Sequence, residues 1–213
     1  MELISQLAEQ YAAAFTSKED GLLHQVNEQT QQHAHAHMLS GHVQGKILTF
    51  LSSILQPKNI LEIGTFTGYS ALCLVEGIHP QGQLHTIELR EEDANTARIN
   101  FSNSKYSNQL NLHVGNAQEI IPRLDMEWDL VFIDADKTAY TDYYELIVPK
   151  LSTRGIIIAD NVLFHGQVLE EEIKGKSAKA IHAFNEHVAK DNRTEQVLLT
   201  VRDGLLLIKK KVQ

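Results

Sequence analysis

The chain has 213 residues, 43% of them hydrophobic and 22% charged, an ordinary globular composition that suffices for one α/β domain with a substantial core. The formal net charge of −8 argues against a basic surface that binds nucleic acid. No segment has the pattern of a signal peptide and no apolar run approaches ~18 residues, so a cytoplasmic location is expected.

The N-terminal part of the chain is predicted to be helical. Apolar residues recur at helical spacing over residues 2–15, and further helices are expected over residues 22–32 and 44–55, the last of which ends before Pro57. The amphipathic pattern of residues 2–15 predicts that this helix packs on the rest of the domain or on a partner subunit.

Three alternate histidines, His33, His35 and His37, separate the second predicted helix from the third. A helix would turn His35 away from the other two, and in a strand no acid or cysteine would join them as a ligand. We therefore favour a solvated connector over a metal site for this run.

The most informative stretch follows Pro57. Residues 60–63 are apolar apart from Glu62 and predict a buried parallel strand, after which Gly64 and Gly68 precede a helical pattern. A strand, a glycine turn and a helix present a ligand crevice at the carboxyl end of the strand. Glycine is needed there because a side chain would hold the ligand away from the backbone.

The glycine spacing of this turn limits the classes of ligand that it could bind. Its spacing, Glu-x-Gly-x-x-x-Gly, lacks the second close glycine of the dinucleotide pattern Gly-x-Gly-x-x-Gly. The acid Glu62 suits a cationic group better than phosphates, and S-adenosylmethionine carries an ammonium and a sulfonium group but no phosphate. By itself the pattern is weak, and a plain strand-to-helix turn is the alternative.

The second strand is predicted over residues 84–88 and ends in Glu88, 20 residues beyond Gly68. Nucleotide-binding sheets place an acid at about this distance to bind ribose hydroxyls. The alternative is an acid that stabilises the start of the next helix through the helix dipole. We favour the ribose role because the strand, the glycines and the acid occur together.

The rest of the chain alternates helices and strands, as a parallel sheet covered by helices requires. Gly115, Asn116 and Ala117 follow the third strand, where such sheets contact an adenine edge. The tight connection through Asp203 and Gly204 makes the last two strands antiparallel. The expected helices cover residues 91–104, 118–124, 140–151 and 177–190, and the expected strands cover residues 110–114, 129–133, 155–159, 196–201 and 205–210.

Acidic side chains follow two of the predicted strands. Asp134 comes directly after residues 129–133, and Asp160 and Asn161 come directly after residues 155–159. The carboxyl ends of parallel strands meet at one edge of a sheet, so these residues offer three oxygen ligands and two negative charges beside the glycine turn. This set suits Mg²⁺, with Mn²⁺ or Ca²⁺ as alternatives. The competing interpretation is that these residues only cap turns.

Together these motifs resemble one family, the metal-dependent class I O-methyltransferases. This family contains catechol O-methyltransferase and caffeoyl-CoA O-methyltransferase, and the chain more closely resembles the latter and its small bacterial relatives. Residues 1–37 match poorly, in a region that varies within the family. The matching pieces are Met38-x-Ser40 with Gly45, Glu62-Ile63-Gly64-x-x-x-Gly68-Tyr69-Ser70, Glu88, Gly115-Asn116-Ala117, Asp134-Ala135-Asp136-Lys137, Asp160-Asn161 and Asp203-Gly204.

The resemblance implies a Rossmann-like α/β fold in a single domain over residues 1–213. Its seven-stranded sheet would have the order 3-2-1-4-5-7-6, with strand seven antiparallel, helices on both faces and extra helices at the N-terminus. The resemblance also implies S-adenosylmethionine as methyl donor, S-adenosylhomocysteine as its product, and a divalent cation. The expected assembly is a homodimer that binds neither nucleic acid nor membrane.

Residue roles follow from motif position. The resemblance implies that Asp134, Asp160 and Asn161 bind the metal ion, that Asp134 also contacts the donor, and that Glu88 holds the ribose hydroxyls. Lys137 would lie beside the reacting hydroxyl, where it either accepts the proton or, while charged, stabilises the oxyanion. The other residues implied to bind the donor are Met38, Ser40, Glu62, Gly64, Tyr69 and Ser70 around its methionine part, and Ala117 at the adenine.

The acceptor and two alternative functions remain to be weighed. Phe164 stands where plant members of the caffeoyl-CoA group often have tryptophan, and the N-terminal region supplies no clear basic site for coenzyme A phosphates. Free catechols, phenylpropanoids such as caffeic acid, and flavonoids are therefore favoured as acceptors. The alternatives are an NAD-type oxidoreductase, against which the paired aspartates argue, and a non-catalytic donor-binding module, which would need neither Lys137 nor metal ligands.

Overall fold

The structure is a computed structural model that describes residues 3–33 and 35–211, apart from the side chain of His37. Helices and strands alternate along most of this part of the chain. The helices are α1 (Gln6–Phe15), α2 (Gly21–Gln31), α3 (His42–Leu55), α4 (Tyr69–Val75), α5 (Glu91–Ser102), α6 (Ala117–Ile120), α7 (Tyr140–Ile147) and α8 (Lys176–Lys190). The strands are β1 (Asn59–Ile63), β2 (Gln83–Glu88), β3 (Leu110–Val114), β4 (Trp128–Ile133), β5 (Leu151–Asp160), β6 (Thr194–Leu199) and β7 (Leu205–Lys210).

The strands form one seven-stranded sheet in the order β3-β2-β1-β4-β5-β7-β6. Strands β1 to β5 pair with one another in parallel, and β7 is antiparallel to both β5 and β6. The predicted sheet is therefore confirmed. Because β1 lies beside β2 on one side and β4 on the other, the chain reverses its winding direction at β1, and the crevice opens at that switch point.

Helices cover both faces of the sheet, since its central strands are apolar on both sides. One core layer packs α7 and α8 against β4, with Tyr144, Phe184 and Trp128 fully buried. The other packs α2, α3 and α4 against the opposite face, where Leu48 and Cys73 are buried. Each large apolar side chain buried in this way contributes about 1.5–3 kcal/mol to the stability of the sheet.

Helix α1 departs from this pattern. None of its residues is buried, and Leu7, Tyr11 and Phe15 are 78%, 67% and 76% exposed. The helix therefore does not bury its apolar face on the rest of the described chain, and a partner subunit remains as the alternative. Among the residues described, no helix combines the length and apolar composition needed to cross a membrane.

Candidate active site

A cleft with a volume of about 560 Å³ lies at the carboxyl ends of the parallel strands. Its walls come from the ends of β1, β2, β4 and β5, from the segment before α3 and from the turn between β6 and β7. Glu62 is the exception among the predicted site residues, since it is fully buried within β1 behind the cleft wall. The predicted residues that line the cleft are Met38, Ser40, Gly64, Tyr69, Ser70, Glu88, Ala117, Asp134, Lys137, Asp160 and Asn161.

Gly64 sets the depth of this cleft. Its φ of +99° is rarely adopted by residues with a side chain, and a Cβ there would overlap the carbonyl oxygen of Asp134. The Asp134 N–H donates to the carbonyl of Ile63 at 2.9 Å, which holds the ends of β1 and β4 together. The glycine predicted from the turn therefore allows the two strand ends to meet at the bottom of the cleft.

Glu62 carries a polar atom without a partner. Its Oε2 accepts a hydrogen bond from Thr86 Oγ1 at 2.5 Å, while its buried Oε1 has no hydrogen-bond partner among the described residues. Burial raises the pKa of Glu62 to about 8, and the nearby Asp134 and Glu88 carboxylates add to the effect. A cationic ligand group in the cleft would favour the charged carboxylate through electrostatic attraction.

Glu88 is held at the end of β2 by backbone donors. Its Oε2 accepts hydrogen bonds from the N–H groups of Thr65 at 3.2 Å and Phe66 at 2.8 Å, and its Oε1 accepts one from Arg90 at 2.9 Å. Each carboxylate oxygen can accept about two hydrogen bonds, so these three contacts fix the group and leave one acceptor position, on Oε1, for a ligand hydroxyl.

Tyr69 lies against the cleft, but its hydroxyl is used elsewhere. The hydroxyl donates to Glu19, which precedes α2 and does not line the cleft. Burial raises the pKa of Tyr69, so the hydroxyl stays protonated as a donor to Glu19. Tyr69 therefore lines the cleft, but its hydroxyl group is already bonded to Glu19.

The oxygen ligands predicted for a metal ion are brought together at the ends of β4 and β5. Asp160 is only 2% exposed, and its carboxylate accepts hydrogen bonds from Gln44 Nε2 at 2.5 Å and from the Asn161 N–H at 2.6 Å. Burial, together with the charge of Asp134, raises the pKa of Asp160 to about 7. Asn161 donates its Nδ2 to Asp203 at 3.2 Å, which turns its side-chain oxygen away from Asp203.

Lys137 stands beside these oxygens. Its Nζ donates to Asp134 Oδ1 and to the Tyr140 hydroxyl, both at 2.8 Å. Burial alone would lower the pKa of Lys137, but the Asp134 carboxylate outweighs burial and holds the pKa above its ordinary value. The site therefore contains a charged ammonium group next to two carboxylates.

A second cluster of possible metal ligands lies away from the cleft. Glu145, His187 and Asp191 place ligand atoms within 4.8 Å of one another. The Arg193 guanidinium already occupies this cluster, with Nη2 at 2.7 Å from Glu145 Oε1 and at 2.6 Å from Asp191 Oδ2. A cation there would be repelled by the arginine, so the cluster is an ion-paired network of α7 and α8.

The histidine run is only partly described, since Ala34 and the side chain of His37 lie outside the described residues. The ring of His33 meets the Phe66 ring edge-on at 5.1 Å, and its Nε2 lies 3.8 Å from Asp93 Oδ1. His33 therefore packs beside Phe66, which lines the cleft. The preference for a connector over a metal site stays a prediction.

Two residues beside the predicted metal ligands, Gln44 and Arg202, are not marked by any motif. Gln44 contacts Asp160 across 116 positions, and Arg202 contacts Gln44 across 158 positions. Neither residue type is unusual at a helix start or in a turn, so only the folded chain reveals the contacts.

Comparison with known proteins shows which family this chain is similar to. A model of the O-methyltransferase family matches residues 13–211. The chain is 34% identical over 161 residues to the catechol O-methyltransferase of Niastella koreensis, a match that covers 73% of this chain and 72% of that protein. It is 27% identical over 222 residues to the probable caffeoyl-CoA O-methyltransferase 3 of Dictyostelium discoideum, covering 92% of this chain and 88% of that protein.

The fold is also found among solved structures. The methyltransferase PaMTH1 of Podospora anserina, bound to S-adenosylhomocysteine (SAH), matches with a TM-score of 0.90 and 28% identity. The match covers 97% of this chain and 94% of that chain, so it extends over nearly the whole sheet and its helices.

Proposed function

This chain belongs to the O-methyltransferase family, and on that premise we propose that it transfers the methyl group of S-adenosylmethionine to one hydroxyl of a catechol-type acceptor with a divalent cation. The enzyme class, an S-adenosylmethionine-dependent O-methyltransferase, follows from the family. The family favours neither the NAD-type oxidoreductase nor the non-catalytic module. The observation that carries the metal-dependent part is the meeting of Asp134, Asp160, Asn161 and Lys137 at one edge of the cleft.

The proposed binding site of the donor lies beside Glu62 and Glu88. The buried carboxylate of Glu62 would attract the ammonium group of the donor from behind the cleft wall, and the free acceptor position of Glu88 suits a ribose hydroxyl. Gly64, Ser70 and Ala117 also line the cleft, and Ala117 is the residue predicted to contact the adenine. When bound, the donor supplies a methyl group on a positively charged sulfur.

Glu88→Ala tests the donor site. We expect SAH affinity to fall by about tenfold or more, because the variant loses a charge-assisted hydrogen bond to the ribose. Calorimetry with SAH measures the effect. Glu119→Ala, which removes an exposed carboxylate from α6, serves as the control. Unchanged affinity in Glu88→Ala would contradict the ribose assignment.

The metal part of the proposal rests on the chemistry of the oxygen donors. Asp134, Asp160 and Asn161 offer hard oxygen ligands, and the two aspartates share a buried site that raises the pKa of Asp160. A divalent cation would relieve this repulsion more completely than the single charge of Lys137. When bound, the cation would bind acceptor oxygens and lower the pKa of the reacting hydroxyl from its ordinary value near ~10.

Lys137 would act on the acceptor oxygen. We favour the role of a charged donor, because an oriented ammonium group stabilises negative charge as it develops on the acceptor oxygen. Tyr140 and Asp134 hold Nζ in place, so the donor is oriented before the acceptor arrives. The remaining walls, including Phe164, would exclude water and hold the two substrates in line.

The acceptor class is supported by the names of relatives. The similar protein of Niastella koreensis is a catechol O-methyltransferase, and that of Dictyostelium discoideum is a probable caffeoyl-CoA O-methyltransferase. Both names describe aromatic acceptors of the catechol type, and vicinal hydroxyls suit the paired oxygen ligands of the metal set. We therefore place free catechols and phenylpropanoids ahead of flavonoids as the first acceptors to assay.

Methyl transfer from labelled donor to a panel of catechols tests the function. We expect turnover with Mg²⁺, loss of turnover with excess EDTA, and recovery when metal is restored. Turnover that ignores EDTA would contradict the metal site while keeping the methyltransferase. SAH binding without turnover on any catechol would contradict the acceptor class.

A homodimer is the proposed assembly. The exposed apolar face of α1, formed by Leu7, Tyr11 and Phe15, supports it because burial against a second copy would remove this surface from water. Tyr11→Glu is expected to shift sedimentation from dimer to monomer. A wild-type protein that sediments as a monomer at micromolar concentration would contradict the assembly.

A further inference from the structure

A short segment crosses the cleft between two distant parts of the sheet. Residues 38–41, which we call the closing segment, connect a short 3₁₀ turn to α3 and line the cleft through Met38, Leu39 and Ser40. On the β2 side, Arg90 Nη2 lies 3.8 Å from Met38 Sδ, a weak contact to a thioether. The strong contacts to this segment come from the opposite side.

Arg202, in the turn between β6 and β7, makes those strong contacts. Its Nη1 donates to the Ser40 carbonyl, and its Nη2 donates to the Leu39 carbonyl at 3.1 Å. The same Nη1 lies 3.3 Å from Gln44 Oε1. One guanidinium therefore joins the closing segment to the first turn of α3, using a charged donor for every contact.

Gln44 links Arg202 to Asp160. It is fully buried, accepts from Arg202 through Oε1 and donates through Nε2 to Asp160 Oδ2 at 2.5 Å. The contact to Arg202 fixes which end of the amide is the oxygen, so the NH₂ group is the one that faces Asp160. The orientation of the Asp160 carboxylate thus depends on a residue in the β6–β7 turn.

The backbone of Arg202 supports a specific role. Its φ of +48° lies in the left-handed region, where a residue other than glycine costs about 1 kcal/mol or more unless its surroundings hold it there. The neighbouring Asp203 accepts hydrogen bonds from the His165 N–H at 2.5 Å and from Asn161 Nδ2 at 3.2 Å. The turn therefore contacts both the closing segment and the wall that carries Asn161.

We propose that Arg202 is a positioning residue for methyl transfer: it latches the closing segment over the donor end of the cleft and, through Gln44, sets the orientation of Asp160. Donor affinity depends on the first contact. The second contact rests on the proposed metal-dependent function. The hydrogen bonds of Arg202 go to Leu39, Ser40 and Gln44, so we assign its effect to the residues that it holds.

Arg202→Gly is the variant that tests the latch. Glycine adopts a φ of +48° without strain, so the turn is kept while the guanidinium is removed. We expect SAH affinity, measured by calorimetry in EDTA, to fall about tenfold. We also expect faster amide hydrogen exchange in a peptide spanning residues 38–45, with unchanged exchange in the central strands.

Two further variants and one control measurement distinguish the loss of the Arg202 contacts from the loss of positive charge and from a loss of folding. Arg202→Lys keeps the charge but cannot make the same forked contacts, so we expect most of the loss of SAH affinity to remain. Arg123→Ala removes an arginine side chain that is 75% exposed, and should bind SAH as the wild type does. A circular dichroism spectrum equal to that of the wild type shows that Arg202→Gly has folded.

SAH binding in EDTA needs neither an acceptor nor a metal ion. Its result therefore does not depend on whether catechols are methylated or whether turnover requires metal. Wild-type SAH affinity in folded Arg202→Gly would overturn the proposal, whatever the exchange data show. A loss of affinity in Arg202→Gly with faster exchange of residues 38–45 would establish the latch.

Discussion

Asp160→Asn is expected to abolish metal-dependent turnover and to remove a pH-dependent loss of stability from the metal-free protein. The substitution keeps the shape of the side chain and removes one of the two carboxylates that would bind the cation. We expect turnover with saturating Mg²⁺ to fall by about 10³-fold, because acceptor binding and charge stabilisation both depend on the cation. SAH affinity in EDTA should change little.

The pH-dependent loss of stability follows from the pKa of Asp160. Burial and Asp134 raise this pKa from 3.8 to about 7, so the fold favours the neutral carboxyl group. A raised pKa stabilises the fold at low pH, and that contribution is lost as the pH rises from about 4 through 7. Asparagine stays neutral, so the stability of the variant relative to the wild type should rise within this pH window.

Thermal unfolding in EDTA at pH 5 and at pH 8 measures this effect. The amide nitrogen of asparagine would meet either the Gln44 Nε2 donor or the Asn161 N–H donor, which lowers the stability of the variant equally at both pH values. We therefore expect the midpoint of Asp160→Asn, relative to that of the wild type, to be higher at pH 8 than at pH 5 by an amount on the order of 4 °C. Mg²⁺ should raise the midpoint of the wild type and leave the variant unchanged. An equal midpoint difference at the two pH values would contradict the buried repulsion between the two aspartates.

Glu145→Gln is the matched control for the metal site. Glu145 belongs to the cluster with His187 and Asp191, the other place where ligand atoms lie close together. Its ion pair with Arg193 is half-exposed, so its loss should affect stability only slightly. If Glu145→Gln lost Mg²⁺-dependent turnover and Asp160→Asn kept it, the metal would have to be placed in that cluster.

Local patterns predicted the sheet well because they act within each element. The apolar run before Gly64 identified β1, and the predicted bounds of β3 and β7 agree with the structure. The order of all seven strands, which the family resemblance implied, is also confirmed. Boundaries were less accurate where the pattern fades. Strand β6 begins at Thr194, two residues before the predicted start, because its outward face is exposed and carries little apolar signal.

The residue pattern alone predicted the parts of the candidate site that stand at strand ends. Asp134 and Asp160 follow apolar runs, so parallel geometry alone brings them to one edge. The direction of a side chain depends on partners far along the chain, and these are not visible in a motif. Tyr69 lines the cleft, but its hydroxyl bonds to Glu19, and the contact between Gln44 and Arg202 spans 158 positions.

Lys137→Met is expected to lower turnover by about 10²–10³-fold, the effect of losing one oriented donor to a developing oxyanion. Methionine keeps the apolar stem between β4 and α7 and removes only the ammonium group. In the described structure Lys137 contacts neither Glu62 nor Glu88, the residues proposed to hold the ammonium group and the ribose of the donor. Its link to the proposed donor site runs through Asp134, which keeps its carboxylate in the variant, so SAH affinity should stay within about threefold of the wild type. Single-turnover kinetics with saturating donor measures the chemical step directly.

The matched control is Lys174→Met, since Lys174 is 75% exposed and forms only a surface ion pair with Glu172. Lys137→Arg then separates the two roles that a lysine could have beside the acceptor. An arginine stays charged but cannot release its proton, so it should retain more activity than methionine if the charge stabilises the oxyanion. Equal losses in Lys137→Arg and Lys137→Met would instead indicate that the amine must accept the proton, and full activity in Lys137→Met would remove the residue from the mechanism.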